Sequence, residues 1–352
     1  MYENDRVEAS GDLFRLKEKQ IKNLYKREKN DDGTKYVDVE IIDVRNPAHA
    51  TKYEEISTIP NPIEGNIFHN VSNTTKVYRI NDAPDGLFLL KNVLSSNSQL
   101  YWAKIALEKY STEEHNNLSN LEKINATESK ECNEKNLNSE DILPPKHIWF
   151  DSIKLNDNFQ SFNKLRWSCL GYHYDWTTRS YEKNLHSVFP SELSALCSNI
   201  AKHVGLSLQP EAAIVNYYPL GTCMSGHVDD AELTMDEPIV SISLGRSAIF
   251  LIGSRSKTDT PIPILVRSGD AIVMSGESRY CYHGVPYIYP INSEEIVRED
   301  NEDIEYNNLE ENDNYTTIKE YLIKSRINMN VRRVSPPNGI WINKNGSGYT
   351  SK

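Results

Sequence analysis

Short apolar runs separated by turn residues dominate the second half of the chain. After Pro210 they predict strands at 212–218, 237–245, 247–254, 260–267, 269–275, 282–288 and 326–334. Many short strands with turns between them are typical of an all-β sandwich or barrel. The expected fold class is therefore mainly β, with some helix (α+β).

Three segments have helical spacing instead. Residues 12–29 place five apolar residues at roughly helical intervals among seven basic ones, which predicts an amphipathic basic helix. Its apolar stripe could dock on the core, or its charge could guide a nucleic-acid backbone. Two further helices are expected at 99–110, after a strand that begins at Gly86, and at 191–204, with Ser191 as N-cap.

Residues 30–84 are polar and interrupted by four prolines, at positions 47, 60, 62 and 84. Proline cannot donate to a sheet hydrogen bond and disfavours helix interiors. We therefore expect residues 1–84 to form an N-terminal extension, with the basic helix followed by an extended arm on the surface.

The net charge of −11 is concentrated in two segments. Residues 293–314 contribute −9 and residues 112–141 contribute −5, so the rest of the chain carries about +3. Both acidic segments are poor in apolar residues, which predicts disordered inserts at about 112–145 and 292–316. A nucleic-acid partner is therefore not excluded by the overall charge.

Several classes of protein are disfavoured. No apolar run approaches the roughly 18 residues of a membrane span. Five cysteines without a C-x-x-C pair suggest neither a disulfide framework nor a thiolate zinc site. The acidic start argues against a secretory signal or a mitochondrial presequence. We expect a monomer in the nucleus or cytoplasm, with mitochondria left open, and no membrane partner.

The most informative stretch runs from Asn216 to Asp229. His227 and Asp229 can share one face of an extended segment, and His283 follows a later buried strand. Two histidines and one carboxylate form the facial triad that binds Fe(II) and leaves positions open for oxygen and a co-substrate. H-x-D alone is weak evidence, because His173 and Asp175 also fit it.

A later segment supports the H-x-D pair formed by His227 and Asp229. It reads Arg326-Ile-Asn-Met-Asn-Val-Arg332. Its polar residues alternate, so one strand face would carry two inward guanidinium groups. A buried arginine pair needs an anion. A dicarboxylate co-substrate beside the iron would supply it.

An aromatic segment offers a surface for a flat substrate. It contains Trp167, Tyr172, His173, Tyr174 and Trp176. Stacking on such rings can hold a base flipped out of its strand. Alternatively, some of these rings fill the core between sheet and helix. For each ring the two positions are equally expected.

Together these residues resemble the AlkB family of Fe(II)- and 2-oxoglutarate-dependent dioxygenases, through N-x-Y-x8-H-x-D, a later His and R-x-N-x-N-x-R. Runs such as L-R-W-S-C-L-G-Y-H-Y-D-W resemble its eukaryotic branch. The resemblance covers about residues 85–335, leaving 336–352 as a tail. It implies a double-stranded β-helix, or jelly roll, as the catalytic core.

The resemblance also implies roles for individual residues. His227, Asp229 and His283 would hold Fe(II). Arg326, Asn216 and Tyr218 would bind 2-oxoglutarate, with Asn328 and Arg332 steadying the co-substrate and the ligands. The expected reaction uses O2 to demethylate nucleic acid, releasing formaldehyde, succinate and CO2. N1-methyladenine in tRNA is the first expected substrate and DNA the second.

One departure and several alternatives bear on the substrate. Position 231 is Ala, where bacterial AlkB carries an acid that helps to read adenine, so Glu232 or Tyr174 would have to replace it. Demethylation of N6-methyladenine in DNA, repair of alkylated bases and 2-oxoglutarate-dependent protein hydroxylation remain alternatives. A non-catalytic nucleic-acid-binding module would require a missing ligand or a missing Arg326, and neither is missing.

Overall fold

Two antiparallel sheets form the core of the computed structural model, which describes residues 11–24, 39–58, 67–112, 115, 165–290, 313–336 and 341. The strands are β1 (Tyr53–Ile56), β2 (Lys76–Ile80), β3 (Leu87–Lys91), β4 (Trp167–Asp175), β5 (Ser180–His186), β6 (Ala212–Pro219), β7 (Met224–His227), β8 (Ile239–Gly245), β9 (Ala248–Ile252), β10 (Ile262–Val266), β11 (Ala271–Met274), β12 (His283–Ile288) and β13 (Ser325–Arg332). The large sheet has the order β1-β2-β3-β11-β8-β13-β6-β4-β5 and the small sheet β10-β9-β12-β7. This is the sandwich expected for a jelly roll.

In the described ranges, four helices accompany the sheets: α1 (Leu13–Lys22), α2 (Ser96–Glu108), α3 (Ser191–His203) and α4 (Asp313–Lys324). None of these helices is long and apolar enough to cross a membrane. Helices α2, α3 and α4 contribute Trp102, Leu196 and Tyr321 to the main apolar cluster, together with one face of the large sheet. They therefore cover the sheet on the side away from the small sheet.

Strict alternation on the central strands separates the two faces of the large sheet. On β13, Ile327, Met329 and Val331 enter the cluster below the helices, whereas Arg326 and Arg332 line the cavity on the opposite face. Strands β6 and β8 alternate in the same way. Because side chains in a strand point to opposite faces in turn, one apolar set anchors the strand and the intervening polar set faces inward.

The two sheets meet through a second apolar cluster. Leu89 and Ile272 of the large sheet pack there with Phe250 and Ile264 of the small sheet. On the outer face of the small sheet, a third cluster combines Phe14 and Ile21 of α1 with residues of β9, β10 and β12. The basic helix docks on the core over residues 13–22, but it does so through Phe14 and Ile21, whereas Leu13 and Leu16 of the predicted apolar stripe are not part of this cluster.

The strands predicted after Pro210 are all present: β6 is one residue longer than expected, and each of the others is one to three residues shorter. Two helix boundaries differ from the expectation. Helix α3 begins at Ser191 itself, and its N-cap is Pro190, so Ser191 is not the cap. Helix α2 begins at Ser96 because the side chain of Ser95 accepts a hydrogen bond from the N–H of Ser98 and caps it.

Two other expectations are corrected. The extension up to residue 84 is not simply a surface arm, since β1 and β2 lengthen the large sheet beside β3. Residues 313–316, expected in the second acidic insert, begin α4, whose Ile318 and Tyr321 are fully buried. The remainder of that insert and nearly all of 113–145 lie outside the described residues, as does most of the tail.

Buried ion pairs tie the segment before β1 to the sandwich. Arg45 donates two hydrogen bonds of 2.9 and 2.8 Å to Asp270, which is fully buried. Arg267 pairs with Asp43 in the same bidentate way, at 2.7 and 2.6 Å. Burial alone would raise the pKa of Asp43, but Arg267 outweighs it and the pKa lies below its usual value. These charges are compensated only while both partners stay in place.

Asp270→Asn should lower the free energy of unfolding by about 3–5 kcal/mol, because it removes the carboxylate charge that pairs with the buried guanidinium of Arg45. Chemical denaturation of the metal-free protein measures this change. Glu40→Gln is the matched control, since the Glu40–Lys52 pair is exposed and should contribute about 1 kcal/mol or less. Similar losses in both variants would contradict the structural role given to Asp270.

Candidate metal and co-substrate site

His227, Asp229 and His283 converge at one end of the cavity between the sheets. His227 ends β7 and His283 begins β12, and the two residues are directly paired across the strands. Nε2 of His227 lies 3.7 Å from Oδ1 of Asp229, and Nε2 of His283 lies 3.7 Å from Oδ2. One ligand atom from each residue lies within 4.8 Å of the other two. A single metal ion can therefore contact all three.

Backbone carbonyls fix the orientation of both imidazoles. Nδ1 of His227 lies 2.9 Å from the carbonyl oxygen of Ser225, and Nδ1 of His283 lies 3.2 Å from that of Cys281. A carbonyl can only accept, so each Nδ1 carries the proton and each Nε2 keeps a free lone pair. Both lone pairs are then available to a metal.

The protonation states also suit a metal. Burial lowers the pKa of His227, so its ring is neutral near pH 7. Burial alone would raise the pKa of Asp229, but the guanidinium of Arg332 holds it well below its usual value. Metal ligands must be deprotonated to bind. The site presents a carboxylate and an imidazole in the required forms.

A buried charge network holds Asp229. Nη1 of Arg332 lies 3.0 Å from Oδ2 of Asp229 and donates a 2.6 Å hydrogen bond to Glu232. Arg279 donates to the backbone carbonyl of Asp229 at 2.8 Å, and its other Nη lies 3.4 Å from Glu232. The side chains of Arg279 and Glu232 are almost completely buried. Both arginines therefore restrict the position of Asp229.

Arg326 is placed differently from Arg332. It is 3% exposed and donates to the hydroxyl of Ser243 at 2.8 Å, and its Nε has no hydrogen-bond partner among the described residues. No carboxylate of the described residues forms an ion pair with it. Burial lowers the pKa of Arg326 to about 10, so it remains charged at neutral pH. This cation is available to an anion in the cavity.

The neighbouring predicted residues line the same cavity. Tyr218 and Asn216 pair across the strands with Arg326 and Asn328, respectively. Burial raises the pKa of Tyr218 to about 12, so its hydroxyl keeps its proton and can donate. The amide of Asn328 donates to Ser241 and to the carbonyl of Ile242, which ties β13 to β8 beside the site.

The predicted aromatic wall is only partly assembled. Tyr174 and Trp176 line the cavity, which has a volume of about 1070 Å³. Trp167, Tyr172 and His173 were expected to face a substrate, but none of them lines it. Gly171 has a φ of +65°, and a Cβ there would lie 1.9 Å from a backbone oxygen. We infer that this backbone conformation changes the direction of β4 and breaks the simple alternation.

These three residues have other contacts. The ring of Trp167 lies 5.2 Å from that of Trp176, and Tyr172 packs between His186 and Trp341. His173 is buried near the hydroxyl of Ser187, and Asp175 accepts from the N–H of Thr177 in a turn. The first H-x-D copy therefore forms no metal cluster among the described residues.

Glu232 also differs from its expected role. It lines the cavity, but its carboxylate binds Arg332 and lies beside Arg279, so it is not directed to a substrate edge. Sequence reasoning missed Arg279, which has no motif around it and sits in a short 3-10 turn. It also missed Tyr181, which lines the cavity next to Tyr174 and whose buried hydroxyl has no hydrogen-bond partner within the described ranges.

Comparisons with known proteins agree with this geometry. The model of the 2OG-Fe(II) oxygenase superfamily matches residues 86–332. DNA N(6)-methyladenine demethylase ALKBH1A of Arabidopsis thaliana is 34% identical over 280 residues, covering 74% of this chain and 78% of the relative. Nucleic acid dioxygenase ALKBH1 of Mus musculus is 32% identical, covering 71% of this chain and 64% of the relative. tRNA demethylase abh1 of Schizosaccharomyces pombe is 34% identical, covering 49% and 54%.

The family model covers most of the chain and contains every residue of the metal and arginine motifs. The expected resemblance and the expected class of enzyme are both confirmed. The chain belongs to the AlkB family of 2-oxoglutarate- and Fe(II)-dependent dioxygenases.

Proposed function

We propose that this dioxygenase removes methyl groups from nucleic-acid bases, with N1-methyladenine in tRNA as its first substrate. The observation that carries the proposal is the convergence of His227, Asp229 and His283 in one cavity with a buried Arg326 that no described carboxylate pairs. The names of the three relatives, which act on DNA, on nucleic acid and on tRNA, support this class of substrate.

The donor set fits Fe(II), because two imidazoles with free Nε2 atoms and one ionised carboxylate form the facial triad. We assign His227, Asp229 and His283 as the metal ligands. Arg332 holds the carboxylate of Asp229, and Arg279 holds the backbone carbonyl of the same residue. When bound, Fe(II) would catalyse the oxidation of an N-methyl group, with O2 as oxidant and 2-oxoglutarate as co-substrate, and the methyl carbon would leave as formaldehyde.

We assign Arg326 to the far carboxylate of 2-oxoglutarate. Its cost of burial is offset only if an anion pairs with it. A guanidinium can form two parallel hydrogen bonds to a carboxylate, which sets the direction as well as the charge. Tyr218 and Asn216 would donate to the same molecule from the adjacent strand, while Ser243 holds the guanidinium in place.

The mouth of the cavity suits a base with its phosphates. Tyr174, Trp176 and Tyr181 offer aromatic faces for stacking. Arg179 and Lys257 are exposed and also line the cavity, where they can contact phosphate oxygens. This combination of flat apolar surfaces and exposed cations favours a nucleic acid over a peptide.

The proposal is tested by supplying the full chain with Fe(II), 2-oxoglutarate and O2, together with methylated oligomers. The panel contains tRNA with N1-methyladenine, DNA with N6-methyladenine and unmethylated controls. Formaldehyde and the mass of the base are measured together. Demethylation of the tRNA with the highest kcat/KM in the panel supports the proposal. A higher kcat/KM on the DNA would show that N6-methyladenine in DNA, and not N1-methyladenine in tRNA, is the preferred substrate. Succinate formation without any base turnover would contradict nucleic-acid demethylation.

Asp229→Ala should abolish demethylation and weaken binding of Mn(II), used as a redox-inert probe, while the protein remains folded. The variant removes one of three ligands and leaves Arg332 without this partner. Asp175→Ala is the matched control, because it removes the carboxylate of the other H-x-D copy and should bind Mn(II) as tightly as the wild type. Turnover by Asp229→Ala at the wild-type rate would refute the ligand assignment.

Arg326→Lys should raise the KM for 2-oxoglutarate by about 10- to 100-fold, because a charge-assisted bidentate contact worth about 1.5–3 kcal/mol is reduced to a point charge. Mn(II) affinity in the absence of 2-oxoglutarate should stay unchanged, since Arg326 contacts none of the three ligands. Steady-state kinetics and a metal titration measure the two quantities. An unchanged KM would show that another group binds the far carboxylate.

A further inference from the structure

Helix α1 packs against the strand that carries His227. A Cβ at Gly226 would lie 2.3 Å from the ring of Phe14, and one at Gly253 would lie 2.9 Å from it. Phe14 is 2% exposed, and its N–H donates to the carbonyl of Lys257 at 3.0 Å. The two glycines provide the space that lets the ring, and with it the helix, approach the backbone of β7.

This packing brings a carboxylate to the backbone beside the metal ligand. Glu18 is 8% exposed, and its Oε2 accepts a 3.2 Å hydrogen bond from the N–H of Gly226. Its other oxygen, Oε1, pairs with Lys22 one turn later in the helix. Strand β7 lies at the edge of the small sheet, where backbone N–H groups need partners from outside the sheet.

The N–H of Gly226 and the carbonyl of Ser225 belong to one peptide group. That carbonyl accepts from Nδ1 of His227 at 2.9 Å. A continuous series of hydrogen bonds therefore runs from the Glu18 carboxylate, through the peptide of residues 225 and 226, to the imidazole. Hydrogen bonds in such a series polarise one another, so a charged acceptor at one end strengthens the bond at the other.

His283 offers an internal comparison. Its Nδ1 also bonds to a carbonyl two residues earlier, that of Cys281. The N–H of the same peptide, that of Tyr282, donates to the neutral carbonyl of Ser254 at 2.9 Å. The two histidines thus share one arrangement, and of the two only His227 has a negative charge behind its peptide.

We propose that Glu18 is a positioning residue for the metal site, acting through the peptide of residues 225 and 226 to orient His227 and increase the electron donation of its Nε2. A carboxylate behind a ligating histidine usually has this effect through direct contact. Here one peptide group lies between them, and the N-terminal helix supplies the charge. The inference rests on the proposed role of His227 as a metal ligand.

The test compares Mn(II) binding by metal-free, full-length variants, followed by electron paramagnetic resonance of the unbound ion. Glu18→Gln preserves the shape and can still accept from Gly226, but it lacks the charge. Its dissociation constant for Mn(II) should rise about 10-fold, the lower end of the effect of removing a directly bonded partner, because here a peptide group lies between. Its unfolding midpoint is measured in parallel.

Lys22→Met is the control for helix docking, because it breaks the same Glu18–Lys22 pair from the other side, together with a 3.4 Å contact to the hydroxyl of Ser225, and leaves the carboxylate on Gly226. Its Mn(II) affinity should match the wild type, even where its unfolding midpoint falls as far as that of Glu18→Gln. Glu40→Gln, an identical change on an exposed ion pair, should also bind normally. Equal losses of affinity in Glu18→Gln and Lys22→Met would overturn the inference, because helix docking alone would then account for both.

The outcomes separate this inference from the function it rests on. If the wild type binds Mn(II) and Glu18→Gln binds it equally well, the role of Glu18 is refuted and the metal site stands. If the wild type and every variant fail to bind Mn(II), the proposed metal site is refuted as well.

Discussion

The structure depends on the burial of two guanidinium groups on one face of β13. Arg326 and Arg332 are each 3% exposed, and strand alternation directs both into the space between the sheets. Burying a charge without a partner is costly. Arg332 is compensated by Asp229 and Glu232, whereas Arg326 has a serine hydroxyl and no carboxylate from the described part of the chain. Arg332 therefore fixes the carboxylate of Asp229, whereas Arg326 keeps a positive charge in the cavity that no described carboxylate compensates.

The scaffold makes this arrangement possible by separating its apolar and polar faces. The same strands that carry the arginines, the asparagines and the serines bury Ile327, Met329 and Val331 against α2, α3 and α4. The small sheet is braced in the same manner by α1, which packs Phe14 and Ile21 on its outer face. Each sheet is thus packed on its outer face by helices, and the second apolar cluster joins the two sheets, so the polar side chains of the cavity are not required to hold them together.

Much of the site could be predicted from sequence because its signals are local. The alternation in 326–332 and the H-x-D pair are each contained in one short extended segment, where neighbouring side chains have a fixed geometric relation. The β sandwich followed in the same way from the strand spacing after Pro210. These features need no knowledge of distant contacts.

The remainder depends on contacts that sequence spacing does not encode. Arg279 reaches Asp229 from a 3-10 turn fifty positions later, and Glu18 reaches Gly226 from the first helix. Strand β4 has a positive φ at Gly171 and a register shift between Tyr172 and Tyr174, so regular alternation could not tell which aromatic rings face the cavity. Strands β1 and β2 were hidden in a polar segment, because each is only four or five residues long.

The most direct test of the central claim is a crystal structure of the full chain with Mn(II) and 2-oxoglutarate, grown without oxygen. We predict one metal ion bound by His227, Asp229 and His283, with the far carboxylate of 2-oxoglutarate paired to the guanidinium of Arg326. A metal bound elsewhere, or a co-substrate whose far carboxylate does not contact Arg326, would contradict the account.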